Sequence, residues 1–236
     1  MTSGQSLTLP EIAPVADASP PTGAARKVLF SAMKNEAPFV LEWVAYHKVI
    51  GFDEIVIAFN DCDDGTAELL RALEGIGWIK ATRVFVRPDE VPQLVAARQL
   101  LAECPLSDGD WAIWLDADEF LNIHVAGHRL ANLIAALGQS HGLLINCRIF
   151  GDGGGSFSGR MLAEPFVKAA SQGHVQSRAI KTLFQYGPHI AGLDIHRPRL
   201  CKGLDPKSLS FLTGSAMQLN VHTRVNRTWV AGISSA

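Results

Sequence analysis

The chain has 236 residues, 47% of them hydrophobic and 19% charged, with a formal net charge of -2. One large domain or two small ones with a sizeable core are expected, and nucleic-acid binding through bulk positive charge is excluded. The four cysteines, Cys62, Cys104, Cys147 and Cys201, are widely spaced without a Cys-x-x-Cys pair, which predicts free thiols in a reducing compartment.

No run of 18 apolar residues and no basic-then-apolar leader is present, so no transmembrane segment is expected. The expected location is the cytoplasm, with peripheral association at the inner face of a membrane as a further placement. Pro10, Pro14, Pro20 and Pro21, set among Ser, Thr, Gly and Ala, predict a disordered tail over residues 1–25.

Order begins with a predicted strand at Lys27–Ala32. A helix follows, with Asn35 as a possible cap, Pro38 in its first turn and Gly51 as its stop. His47 reads as a packed partner of Trp43 on that helix. Glu54–Phe59 is the second strand. The loop Asn60-Asp-Cys-Asp-Asp-Gly-Thr66 leads into a helix over Ala67–Glu74, capped by Asp64 or Thr66. Read alone, this loop is either turn chemistry or a polar cradle at a strand's end. Ile79–Val86 is a third strand and Gln93–Glu103 a third helix. Four strand–helix alternations imply an α/β fold, with a mostly parallel sheet covered by helices on both faces.

The next strand, over residues 111–115, runs straight into Asp116-Ala-Asp-Glu119. Three acids directly after a hydrophobic strand are costly unless something positive meets them. Asp-x-Asp at a strand's C-terminal end suits a hard divalent cation, and it equally suits a solvated acidic turn. Leu130, Leu133, Ile134 and Leu137 predict a helix, and residues 142–150 a strand. Five glycines within residues 151–159 predict a flexible loop, either a lid or a linker. Residues 160–180 read as irregular or helical, Lys181–Phe184 as a short strand, and the signal weakens from about 205.

Several motifs together resemble a family-2-like bacterial glycosyltransferase with the GT-A fold. They are Met33-Lys-Asn-Glu36 with Glu42-Trp43 and His47 behind it, Asn60–Thr66, Pro92-Gln93 with Arg98, Leu115–Leu121, Arg148-Ile-Phe-Gly151, Lys181–Phe184 and His196-Arg-Pro198. The match covers residues 26–204 as one domain, and 205–236 match poorly. The resemblance implies transfer of a sugar, with inversion, from a nucleotide-sugar donor to a glycan, lipid or other hydroxyl acceptor. It implies Mn²⁺ or Mg²⁺ at Asp116 and Asp118, with His196 as a further ligand or phosphate contact. Donor binding would fall to Asn35, Glu36, Asn60, Asp61, Asp64 and Asp116, with Arg98, Lys181 or Arg197 on the phosphates. The base that takes the acceptor proton would be Glu164, Asp152 or Glu119, with Glu164 first. Two rivals are a metal-dependent hydrolase with Asp116 as nucleophile, and a truncated or degenerate nucleotide-sugar-binding protein without turnover. The order of the motifs, with Asp116 after four strands rather than one, argues against the hydrolase.

Overall fold

The structure, a computed structural model, describes residues 24–152, 154, 161–171, 174, 177, 179–205 and 208–214, together with the backbone of 222–225 and 228–231. Residues 1–23, most of the glycine-rich loop and much of the segment after 205 lie outside the described residues, and so do the expectations for them.

The first half follows the predicted alternation. It runs β1 (Lys27–Met33), α1 (Ala37–Ile50), β2 (Glu54–Phe59), α2 (Thr66–Gly75), β3 (Lys80–Arg83), α3 (Pro92–Glu103), β4 (Trp111–Trp114), α4 (Leu130–Leu137) and β5 (Gly142–Asn146). The strand predicted over 79–86 pairs only at Lys80–Arg83, and the one predicted over 142–150 stops at Asn146.

The second half is richer in strands than its sequence suggests. Short β6 (Phe150–Gly151) and β7 (Lys168–Ala169) pair antiparallel, so the described part of the 160–180 region, expected to be irregular or helical, contributes a short strand. β8 (Ile180–Gln185) is followed by a hairpin of β9 (Ile190–Gly192) and β10 (Arg199–Leu200), then by β11 (Phe211–Thr213). β12 (His222–Val225) and β13 (Thr228–Ala231) form a separate hairpin.

Seven strands make the central sheet, in the order β11-β5-β8-β4-β1-β2-β3. The α/β class and the mostly parallel sheet expected from the alternation are present. β8 is the exception, antiparallel to both β4 and β5. β11 pairs parallel with β5 at the edge, beyond residue 204. Gly142 permits the crowding there, since a Cβ would lie 2.6 Å from the Leu183 carbonyl oxygen and from the Phe211 ring.

Alternate residues of each central strand face two cores. Leu29, Ile55, Ile57 and Ile113 pack under α1, α2 and α4 with Trp43, Leu70 and Leu130. Val28, Phe30, Val56 and Trp114 pack under α3 with Ala96, Ala97 and Leu100. Covering both faces leaves the strand ends as the place where polar loops emerge. Among the described residues, no helix is long and apolar enough to cross a membrane.

Candidate functional site at the strand ends

Three parallel strands, β1, β2 and β4, deliver their loops to one edge of the sheet. The first two loops are stitched together. Asn35 Oδ1 accepts from the Asp63 amide (2.9 Å), and Thr66 Oγ1 accepts from the Glu36 amide (2.7 Å). Asp64 accepts from the Ala37 amide (3.0 Å) on one oxygen, and from the Thr66 amide (3.0 Å) and hydroxyl (2.6 Å) on the other. Asp64 therefore satisfies the first turns of two helices at once, which holds its carboxyl below the usual range despite some burial. The cap of α1 comes from this neighbouring loop. The Asn35 side chain does not cap its own helix, and its backbone turns through φ 58. Asp61 also has positive φ (45), and its carboxylate accepts from Asn60 Nδ2 (3.0 Å).

The positive partner demanded by the acids after β4 is Lys181, from the antiparallel β8. Its Nζ lies 2.9 Å from Asp116 Oδ2 and 3.0 Å from Glu119 Oε2, and its side chain is 4% exposed. Burial disfavours this ammonium, but the charges of Glu119 and Asp116 outweigh burial and hold its pKa above the ordinary lysine value. Asp116 Oδ1 accepts from Gln93 Nε2 (3.2 Å) and Trp114 Nε1 (3.3 Å), so both oxygens of Asp116 are engaged within the protein. Glu119 accepts from the Asp116 amide at 2.9 Å, and burial together with the nearby Asp116 charge holds its carboxyl above the usual range in spite of Lys181.

Asp118 is exposed, and its carboxylate has no partner among the described residues. It also acts at a distance. Burial raises the Glu36 carboxyl above its usual range, and the charges of Asp118, Asp64 and Asp116 add to the rise. Three carboxylates thus act on a fourth, Glu36, an arrangement that a cation would relieve. Asp118 is the acid with oxygens to spare. Among the described residues no three His, Cys, Asp or Glu side chains form a ready ligand set. His196 lies beside β8, where its Nδ1 meets the Ile180 carbonyl oxygen at 3.0 Å and its own carbonyl accepts from Thr182 Oγ1 (2.9 Å). With Nδ1 as the donor, Nε2 is left as an acceptor.

The remaining expected residues are scattered. Arg98 is 63% exposed on α3 and pairs with Glu90 at 3.5 Å. Gln93, near the start of the same helix, is the residue that reaches Asp116. Arg197 is half-buried beside His196. Asp152 accepts from the Gly154 amide (3.0 Å) in its own turn. Glu164 is exposed on the turn after Met161, and its carboxylate has no partner among the described residues.

Sequence reasoning assigned no role to Gln93, Arg71 or Arg83. A pocket of about 210 Å³ is lined by Phe59, Asp61, Cys62, Arg71 and Arg83 among others. The Arg71 guanidinium lies 5.7 Å over the Phe59 ring. Arg83 ends β3 and Arg71 ends the first turns of α2, so their positions relative to the strand-end loops were the available signal.

His47 is fully buried, as its packing role predicts, with its ring 4.5 Å from that of Trp43. It also holds the acid loop. Its Nδ1 donates to the Trp43 carbonyl (2.8 Å), and its Nε2 accepts from the Leu121 amide (3.4 Å). Trp43 Nε1 donates to the Glu119 carbonyl and Tyr46 Oη to the Leu121 carbonyl, each at 2.9 Å.

No family model matches this chain. It is 30% identical over 93 residues to a glycosyltransferase family 92 protein of Oryza sativa subsp. japonica, and 30% identical over 88 residues to one of Arabidopsis thaliana. Those stretches cover 38% and 36% of this chain but only 15% and 14% of the two plant proteins. Over them the chain is glycosyltransferase-like. Among solved structures, S. aureus TarS 1-349 in complex with UDP overlaps 51% of this chain and 35% of its own, at 16% identity and a TM-score of 0.40. The mannosyltransferase PcManGT from Pyrobaculum calidifontis, in complex with GDP-Man and Mn2+, overlaps 53% and 36%, at 20% identity and a TM-score of 0.39.

Proposed function

We propose that the protein is a GT-A-type glycosyltransferase that moves a sugar from a nucleotide-sugar donor to a hydroxyl acceptor, with inversion and with help from Mn²⁺ or Mg²⁺. One observation carries this reading: the loops after β1 and β2 are hydrogen-bonded together at the sheet edge to which β4 also delivers its acids, and the charges of Asp118, Asp64 and Asp116 all act on Glu36. The plant family 92 proteins are called glycosyltransferases, which agrees with it.

In this reading Asp118 is the principal cation ligand, because its oxygens are uncommitted. His196 Nε2 is a candidate second contact. When bound, the cation would neutralise charge developing on the diphosphate leaving group. Asp116 would act from behind, oriented by Lys181, Gln93 and Trp114. Asn35, Glu36, Asn60 and Asp61 would meet the nucleoside, while Arg71, Arg83 and Arg197 would supply positive charge to phosphate oxygens. Of the three base candidates, Glu119 is committed to Lys181 and Asp152 to its own turn, so Glu164 is assigned the acceptor proton.

The test is calorimetric titration of UDP- and GDP-sugars with and without Mn²⁺. Binding should require the cation and should be lost in Asp118→Ala. Absence of binding to every sugar nucleotide in the presence of Mn²⁺ overturns the reading.

A further inference from the structure

One strip of α1 does two jobs. Trp43, Tyr46 and His47 hold the backbone of 119–121, as described above. One residue earlier, Glu42 turns its carboxylate to the segment after the glycine-rich stretch. Its Oε2 accepts from the Leu162 amide, and its Oε1 accepts from the Ala163 amide at 3.0 Å. Residues 42 and 46, like 43 and 47, are one helical turn apart, so all four side chains lie on neighbouring rows of one face. A half-buried carboxylate committed to two main-chain amides, 120 and 121 residues away in sequence, is a directed contact between distant segments. The Glu164 amide closes the same turn onto the Met161 carbonyl (3.4 Å), so the turn that Glu42 grips is the one that carries Glu164.

We infer that Glu42 is a positioning residue, which docks the Glu164 turn onto the helix that also holds the acid loop. The spacing between the acceptor base and the donor site is thereby set by a single rigid element. The proposal rests on the glycosyltransferase reading and deepens it. Glu42 itself touches neither donor nor acceptor. It acts through the backbone of Leu162 and Ala163, and its removal should displace Glu164 while leaving Asp116, Asp118 and Glu119 where they are.

The experiment compares the full chain with Glu42→Ala and Glu42→Gln. Release of nucleotide is followed over a panel of sugar nucleotides with Mn²⁺, alongside amide hydrogen exchange. In Glu42→Ala, exchange at 162–163 should rise about tenfold, with 119–121 unchanged. kcat should fall roughly tenfold to a hundredfold at unchanged donor KM. Glu42→Gln keeps one acceptor oxygen and should lie between the two. Wild-type kcat in Glu42→Ala, or unchanged exchange at 162–163, overturns the inference. A matching rise in donor KM and in exchange at 119–121 also overturns it, because Glu42 would then support the whole fold. If the unaltered chain releases no nucleotide, the glycosyltransferase reading fails first. That failure shows without any variant and removes the inference with it.

Discussion

Lys181 donates to Asp116 Oδ2 across 2.9 Å, from a strand that runs opposite to the one leading into Asp116. The first acid of the Asp-x-Asp motif is therefore neutralised within the protein, and the second acid is left open. This divides the motif into a structural carboxylate and an available one.

Replacing Lys181 should destabilise the fold. In Lys181→Met the acids at 116 and 119 lose their shared cation. Their side chains are 34% and 25% exposed, so water recovers part of the loss. The expected cost is about 2 kcal/mol, below the ~3–5 kcal/mol of a fully buried pair. Chemical denaturation measures it, and a cost near zero would show that the pair contributes no net stability.

Asp118→Ala should be thermodynamically quiet. The side chain has no partner among the described residues, so stability should stay within about 0.5 kcal/mol of the parent. Asp116→Ala, by contrast, removes the acceptor for Lys181, Gln93 and Trp114 and should lower stability measurably. Parallel urea melts of the two variants test the division, and equal losses contradict it.

Asp64 is expected to act as a cap. Asp64→Ala should cost about 1 kcal/mol by freeing the first turns of α1 and α2. Asp64→Asn keeps one of the two acceptor oxygens and turns an NH2 towards one helix start, so its stability should lie between the parent and Asp64→Ala, with nucleotide affinity retained. A tenfold loss of affinity in a folded Asn variant would give Asp64 a donor contact as well.

His47 should impose an acid limit on stability. Burial lowers its pKa from 6.5 to about 4, against a smaller opposing effect of its hydrogen bond to the Trp43 carbonyl. The unfolded chain takes up a proton near 6.5, whereas the folded chain resists until about 4. Stability is therefore fully present above 6.5 and falls as pH drops towards 4. The gap is worth about 3 kcal/mol. Denaturation midpoints of wild type and His47→Gln, followed from pH 7 to 4.5, should diverge towards neutral pH. Parallel curves would mean that His47 titrates normally.

Much of the first half is legible in the sequence alone. β2 matches its expected bounds, and α1 stops at Gly51, which takes the left-handed conformation (φ 108). Alternating Leu29, Phe30 and Met33 show a strand covered on both faces, because the two-residue period is a local property of the backbone. The second half hid its strands. β6, β7 and β10 have two residues each, and β9 and β11 three, too few to establish any period.

The acids at 116–119 show the same boundary. Their cost after a hydrophobic strand, and hence the need for a positive partner, is a matter of local chemistry and could be stated from residues 111–119 alone. Which cation meets them could not. Lys181 is 65 residues from Asp116 and arrives on the antiparallel β8, whose place between β4 and β5 follows from packing. The same holds for Gln93 on Asp116, Asp64 on Ala37 and Glu42 on Leu162, each a contact between segments far apart in the chain. Sequence periodicity carries the identity of the elements, since that depends on neighbouring residues. Pairing of the charges depends on distances between elements, and these exist only once the sheet has formed.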